Sequence, residues 1–170
     1  MDWLIHSLLK IARLDAGTIT FQKETYPLEE LAGQALLPLE IQMELKNQSI
    51  QKEIGGTFQG DLAWTAEALG NILKNCSEHT PEGGTIFLTG HENPLYTEII
   101  VRDTGPGIDP KDLPHLFERF YRGKDAKDQS IGIGLALSRM ILTSQNATLR
   151  AVNSPKGGAE FIIRFYKSTV

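Results

Sequence analysis

Three short segments hold the residue types that could do chemistry. Residues 103–108 read DTGPGI, residues 132–137 read GIGLAL, and an upstream helical pattern carries Asn71 and Asn75. Asp103 precedes a turn in which Gly105 and Gly107 permit positive φ or close backbone approach, while Pro106 stiffens it. A carboxylate accepts a hydrogen bond from an exocyclic amine and has no donor for a keto oxygen when ionised, so Asp103 suits adenine. Gly132, Gly134 and Leu135 open a helix whose free N–H groups and positive dipole end suit phosphate. Asn71 and Asn75 stand one turn apart on one helix face, with Glu67 a turn before them and Lys74 beside them. An asparagine oxygen is a hard, neutral ligand, which suits Asn75 to magnesium, an ion that keeps several waters and leans on substrate phosphates. Each segment is weak alone, because glycine turns are common and polar residues line any solvated helix face. In this order they are the equipment of an ATP site.

Between the glycine turns lies LPHLFERFYRGK, with Phe117 and Phe120 three apart and Arg119, Arg122, Lys124 and Lys127 around them. A connection of this length inside a compact domain is usually functional. The aromatic rings would pin it while the cations reach a triphosphate.

These segments need a scaffold. Trp3, Leu4, Ser7, Leu8, Ile11 and Leu14 recur at helical spacing and Gly17 follows as a stop. So short an apolar stripe must pack on the domain, on another copy or on a partner helix. Residues 18–23 alternate like a strand, and Pro27 opens a helix running to about Lys46 with Leu28, Leu31, Ala35 and Leu39 inward. Residues 49–54 and 57–59 read as a hairpin around Gly55 and Gly56. Asp61 caps the helix that carries the asparagines to about Ser77, with Leu62, Leu69, Ile72 and Leu73 inward. Residues 85–90 and 96–102 read as an antiparallel pair ending at Asp103. Residues 133–142 are helical, and 147–153 with 160–166 form a last hairpin about SPKGG. The order implies an α/β two-layer sandwich: a mixed, mostly antiparallel sheet covered on one face by about three helices, with a long lid.

Composition narrows the function classes. A chain of 170 residues, 41% hydrophobic and 22% charged, suffices for one core. The net charge of −4 supplies no global basic field for nucleic acid. A single cysteine, Cys76, precludes an internal disulfide and fits a reduced, cytosolic compartment. No apolar run approaches the ~20 residues needed to span a bilayer, and no direct membrane contact is expected.

The series of an asparagine helix, DTGPGI, LFERFYRG and GIGLAL resembles the boxes of the catalytic ATP-binding domain of sensor histidine kinases. It is also similar to the wider superfamily shared with gyrase, MutL and the heat-shock chaperone ATPases. The opening WLIHSLLKIARLDAG looks like the end of the second dimerisation helix of those kinases, so the division expected is 1–16 as that helix end and 17–170 as the catalytic domain. The resemblance implies adenine with its amine on Asp103, magnesium on Asn75, Asn71 along the phosphate path, His79 beside the base and Arg122 near the terminal phosphate. The nucleotide-contacting set so implied is Asn71, Lys74, Asn75, His79, Asp103, Gly105, Gly107, Ile108, Phe120, Arg122, Gly132, Ile133, Gly134 and Leu135. Asn71, Asn75 and Arg122 are its catalytic members.

The implied function is donation of the ATP γ-phosphoryl group to a histidine on a separate dimerisation domain, with a response regulator downstream and a parent protein anchored in the plasma membrane. No histidine here is followed by an acidic residue and then a proline four positions on, so the phosphoacceptor is expected on another domain, and His6 reads as structural. Gyrase-type hydrolysis is the first alternative, in which a glutamate four residues before the metal asparagine activates water; that position is Asn71, a poor base. A nonenzymatic ATP-sensing module is the second. Glu78, Ser130, Ile131 and Ala159 depart from the family pattern.

Overall fold

The structure, a computed structural model, describes residues 2–121 and 132–168. The apolar stripe at the start forms α1 (Asp2–Asp15), with Ser7 and Ile11 buried and Gly17 in the left-handed region after its end. It packs on α5 (Gly134–Thr143), the first of the three packings expected for it. Trp3, Ile5, Leu8 and Leu9 remain exposed.

The next segment departs from expectation in three places. The strand is Lys23–Pro27 (β1), not 18–23, because pairing begins where Lys23 meets Asp61 and ends at Pro27, which caps the following helix. That helix is not continuous to Lys46. It runs Leu28–Leu36 (α2), tightens to a 3₁₀ turn at Leu37–Leu39 and resumes at Glu40–Leu45 (α3), because Pro38 cannot donate the bond a continuous helix requires. Finally, β2 (Ser49–Ile54) and β3 (Thr57–Asp61) are not a hairpin. β3 pairs antiparallel with β1, whereas β2 pairs parallel with β4 (Thr85–Glu92). Gly55 and Gly56 carry the chain from one sheet to the other, with the Gly55 N–H donating to the Gly90 carbonyl at 3.0 Å and so extending the β2–β4 ladder.

The remainder follows the sequence pattern. α4 (Leu62–His79) precedes the antiparallel pair β4 and β5 (Tyr96–Asp103), and α5 precedes the hairpin of β6 (Ala147–Asn153) and β7 (Ala159–Tyr166). The main sheet has the order β2-β4-β5-β7-β6, antiparallel except at β2. Leu31, Leu69, Leu73 and Leu137 from the helices meet Ile86, Leu88, Val101 and Phe161 from the strands, each at most 1% exposed. At about 1.5–3 kcal/mol per fully buried side chain, this layer holds α4 and α5 firmly against the sheet. The fold is the two-layer α/β sandwich expected. An apolar cavity of about 10 Å³ lined chiefly by Leu28, Ala32, Leu69, Leu88, Gly90 and Ile99 is far too small for a nucleotide and belongs to the core packing.

Candidate functional site

α4 is the spine of the site. Its N-terminus is fixed by Asp61, whose Oδ1 accepts from the Trp64 N–H at 3.0 Å and whose Oδ2 accepts from the Gln22 N–H at 2.8 Å. Its C-terminal carbonyls are capped by side chains from the segment after α3. Ser77 O accepts from Lys46 Nζ at 2.7 Å and from Gln48 Nε2 at 2.9 Å, and the same Gln48 Nε2 reaches Thr80 O at 2.7 Å. Sequence reasoning missed this cap, because Gln48 and Ser77 stand 29 residues apart and are brought together by tertiary packing. With both ends tied, the row Asn71, Asn75, Glu78 is held half-buried, while Lys74 and His79 are exposed.

Asp103 ends β5 and is 2% exposed. Its Oδ1 accepts from the Gly105 N–H at 3.0 Å and the Ala159 N–H at 3.1 Å. The Cys76 thiol, from the buried face of α4, lies beside the same carboxylate. Burial, with the Asp103 charge beside it, pushes that thiol well above the usual cysteine range, so it stays protonated. A side chain at Gly105 would collide with the His79 carbonyl oxygen, so this glycine allows the loop to lie against the end of α4. Ala159, whose side chain departs from the family pattern, thus supports Asp103 through its backbone N–H.

Near its middle α4 meets the second glycine turn. Asn71 Nδ2 donates to the Gly134 carbonyl at 3.3 Å, and Ser138 Oγ bridges the helices by donating to Ala68 O at 2.9 Å. α5 begins at Gly134, so the N–H groups of its first turn lack intrahelical partners. Ile133 is fully buried in the core, which leaves only its backbone to face a ligand. The structure therefore brings Asn71, Asn75, His79, Asp103, Gly105 and the 132–135 turn along one helix, about 12 Å from Asn71 to His79 at 1.5 Å per residue.

The segment between the turns is anchored at its foot. Phe117 packs edge-on against Phe161 at 6.4 Å, and the Arg139 guanidinium lies over the Phe117 ring at 5.6 Å. Phe120 has φ of 64°, donates its N–H to Gly132 O at 3.0 Å and exposes its ring. Two cations do not point where the sequence suggests. Arg119 pairs with Asp15 at 2.6 Å and contacts Met140 Sδ. Lys74 stands over the Trp3 ring at 5.3 Å. Both are drawn toward α1, whose Lys10 also bonds both oxygens of Glu67. Arg122, Lys124, Lys127, Ser130 and Ile131 lie outside the described residues.

Among the described residues no three His, Cys, Asp or Glu side chains converge as a metal site, and no helix is long and apolar enough to cross a membrane.

Comparison with known proteins places this geometry. The family model of histidine kinase-, DNA gyrase B-, and HSP90-like ATPases matches residues 60–169. The sensor protein KdpD of Escherichia coli strain K12 is 30% identical over 167 residues, which cover 98% of this chain and 19% of KdpD. The sensor protein SrrB of Staphylococcus aureus strain MRSA252 is 28% identical over 178 residues, covering 98% of this chain and 30% of SrrB. The chain thus spans less than a third of the length of these relatives. Among solved structures, the mycobacterial sensor histidine kinase MprB matches with a TM-score of 0.76 at 22% identity, over 86% of this chain and 100% of that one. Full-length ShkA in complex with AMPPNP matches with a TM-score of 0.82 at 23% identity, over 98% of this chain and 36% of that one. These structural matches share the fold.

Proposed function

Because the chain belongs to the family of histidine kinase-, DNA gyrase B-, and HSP90-like ATPases, we propose that it is the ATP-binding catalytic module of a sensor histidine kinase, which donates the γ-phosphoryl group to a histidine on a separate dimerisation domain. The observation that carries this reading is the course of α4, which meets the buried Asp103 loop at its C-terminal end and the glycine turn of α5 midway along, at Asn71, with Asn75 between the two. Asp103 would accept the adenine amine, with Gly105, Gly107, Ile108 and His79 around the base. The free N–H groups at Gly134 and Leu135, the Gly132 and Ile133 backbone, Phe120 and the lid residue Arg122 would receive the phosphates. The donor set fits magnesium bound through few protein ligands: a neutral amide at Asn75, supplemented by phosphate oxygens and water, would let the ion neutralise charge on the transferring group. Lys74 joins the phosphate side only if it leaves Trp3.

The proposed work of the protein is positioning and charge stabilisation, with the nucleophile supplied from outside. Asn71 favours transfer over hydrolysis, since an amide cannot deprotonate water and its Nδ2 is engaged with Gly134 O. In the intact system a response regulator would take the phosphoryl group onward, and the parent would be a membrane-anchored sensor. The test is incubation of the chain with γ-labelled ATP, magnesium and a purified histidine-bearing dimerisation domain from a sensor kinase of the KdpD or SrrB type. Label on the histidine domain supports the kinase reading. Nucleotide binding with release of free phosphate and no label on any domain offered would favour a hydrolase, and binding with neither would favour a nucleotide-sensing module.

A further inference from the structure

One hairpin holds both ends of the Asp103–Ile108 loop. At the start of the loop, the Ala159 N–H, from the first residue of β7, donates to Asp103 Oδ1 at 3.1 Å. At its end, Asn153, the last residue of β6, grips Ile108 twice: its Oδ1 accepts from the Ile108 N–H at 2.7 Å, and its Nδ2 donates to the Ile108 carbonyl at 2.7 Å. One side chain thereby reproduces the pair of bonds that two facing residues exchange in an antiparallel ladder. Only a carboxamide offers a donor and an acceptor side by side for this purpose; an aspartate would supply acceptors alone. Gly107 completes the arrangement, since it has φ of 83° and a Cβ there would stand 2.8 Å from Asn153 Oδ1. Asn153 and Ala159 are register partners, and the turn between them is closed by the Ser154 N–H donating to Gly158 O at 2.9 Å, so the hairpin fixes the distance between the two grips.

We propose that Asn153 is a positioning residue for the nucleotide. It sets where the Ile108 end of the loop lies relative to Asp103, and through that spacing it governs base affinity and the preference for adenine. The proposal rests on the adenine role given to Asp103. Asn153 itself is exposed, so its removal leaves the Ile108 groups to water and loosens the loop without opening the core.

The test uses the full chain with Asn153→Ala and Asn153→Asp, reading amide exchange at Ile108 without nucleotide and titrating AMPPNP and a GTP analogue. In Asn153→Ala, Ile108 should exchange about tenfold faster and AMPPNP should bind about tenfold more weakly, with a narrowed preference over the GTP analogue. Asn153→Asp retains an acceptor for the Ile108 N–H and should rescue its slow exchange, with intermediate affinity. That variant carries the test if the alanine variant melts. A purely structural role would lower the melting temperature and leave the adenine preference unmoved. Unchanged Ile108 exchange in Asn153→Ala, or changed exchange with unchanged affinity and preference, overturns the proposal while the ATP reading stands. Failure of the unaltered chain to bind AMPPNP overturns both.

Discussion

Asp15, at the end of α1, and Arg119, at the foot of the segment between the glycine turns, form an ion pair of 2.6 Å across 104 positions of sequence. With Lys74 over Trp3 and Lys10 on Glu67, it makes α1 a strap across α4 and the lid base. The pair is exposed, so its worth is in orientation more than in stability. The Arg119 hydrogen bond holds the Asp15 carboxyl below the usual carboxylate range. Its contribution is therefore present above the ordinary carboxylate pKa and is lost as pH falls through the depressed folded value. Carboxyl-detected NMR titration should show a depressed Asp15 midpoint that returns to normal in Arg119→Gln. Asp15→Asn should speed amide exchange in residues 116–121 while barely moving the melting temperature; unaltered exchange there would show that α1 does not restrain the lid base.

Asp103 does two tasks at once. Asp103→Ala would remove the proposed adenine acceptor and also leave the Gly105 and Ala159 N–H groups without their partner, at a cost of about 1–3 kcal/mol if they stay buried. Asp103→Asn separates the two, because its amide oxygen still accepts those N–H groups while the nitrogen presents a donor to the base. AMPPNP affinity should fall roughly 10–100-fold with little change in stability, and the preference over the GTP analogue should vanish. Retained preference in Asp103→Asn would remove the residue from base recognition.

Cys76 should be inert in the native protein. The buried, protonated thiol should resist iodoacetamide at pH 8 and react only when the chain unfolds, as intact-mass measurements would show. Because its folded pKa is raised, stability is fully retained below the unfolded thiol pKa and declines as pH rises through and above it. Rapid native labelling would mean that α4 breathes away from Asp103.

Asn75→Ala should uncouple nucleotide affinity from magnesium. AMPPNP titrations with and without the ion should give the same affinity in the variant and different affinities in the unaltered chain. Undiminished magnesium dependence would exclude Asn75 as the ligand.

What the sequence revealed is local. Asp61 is readable as a cap, β4 with β5 and β6 with β7 are readable from alternation and close spacing, and the α4 stripe is readable from its period. Gly55 and Gly56 look like a hairpin turn for the same reason, and there local reading fails, since β2 finds its partner in β4 beyond all of α4. Of the site, the residue types of the loops are visible and their supports are not. Gln48, Asn153 and Ala159 reach Ser77, Ile108 and Asp103 from 29, 45 and 56 residues away. Nor does spacing show that Arg119 and Lys74, both grouped with the site by sequence, turn to Asp15 and Trp3.

The most direct measurement is calorimetric titration of the chain with AMPPNP in the presence and absence of magnesium, with a GTP analogue alongside. Saturable binding at one site, strengthened by magnesium and selective for adenine, is the predicted result. No binding, or equal binding of the two nucleotides, would contradict the assignment of the Asp103 loop and the α5 turn as an ATP site.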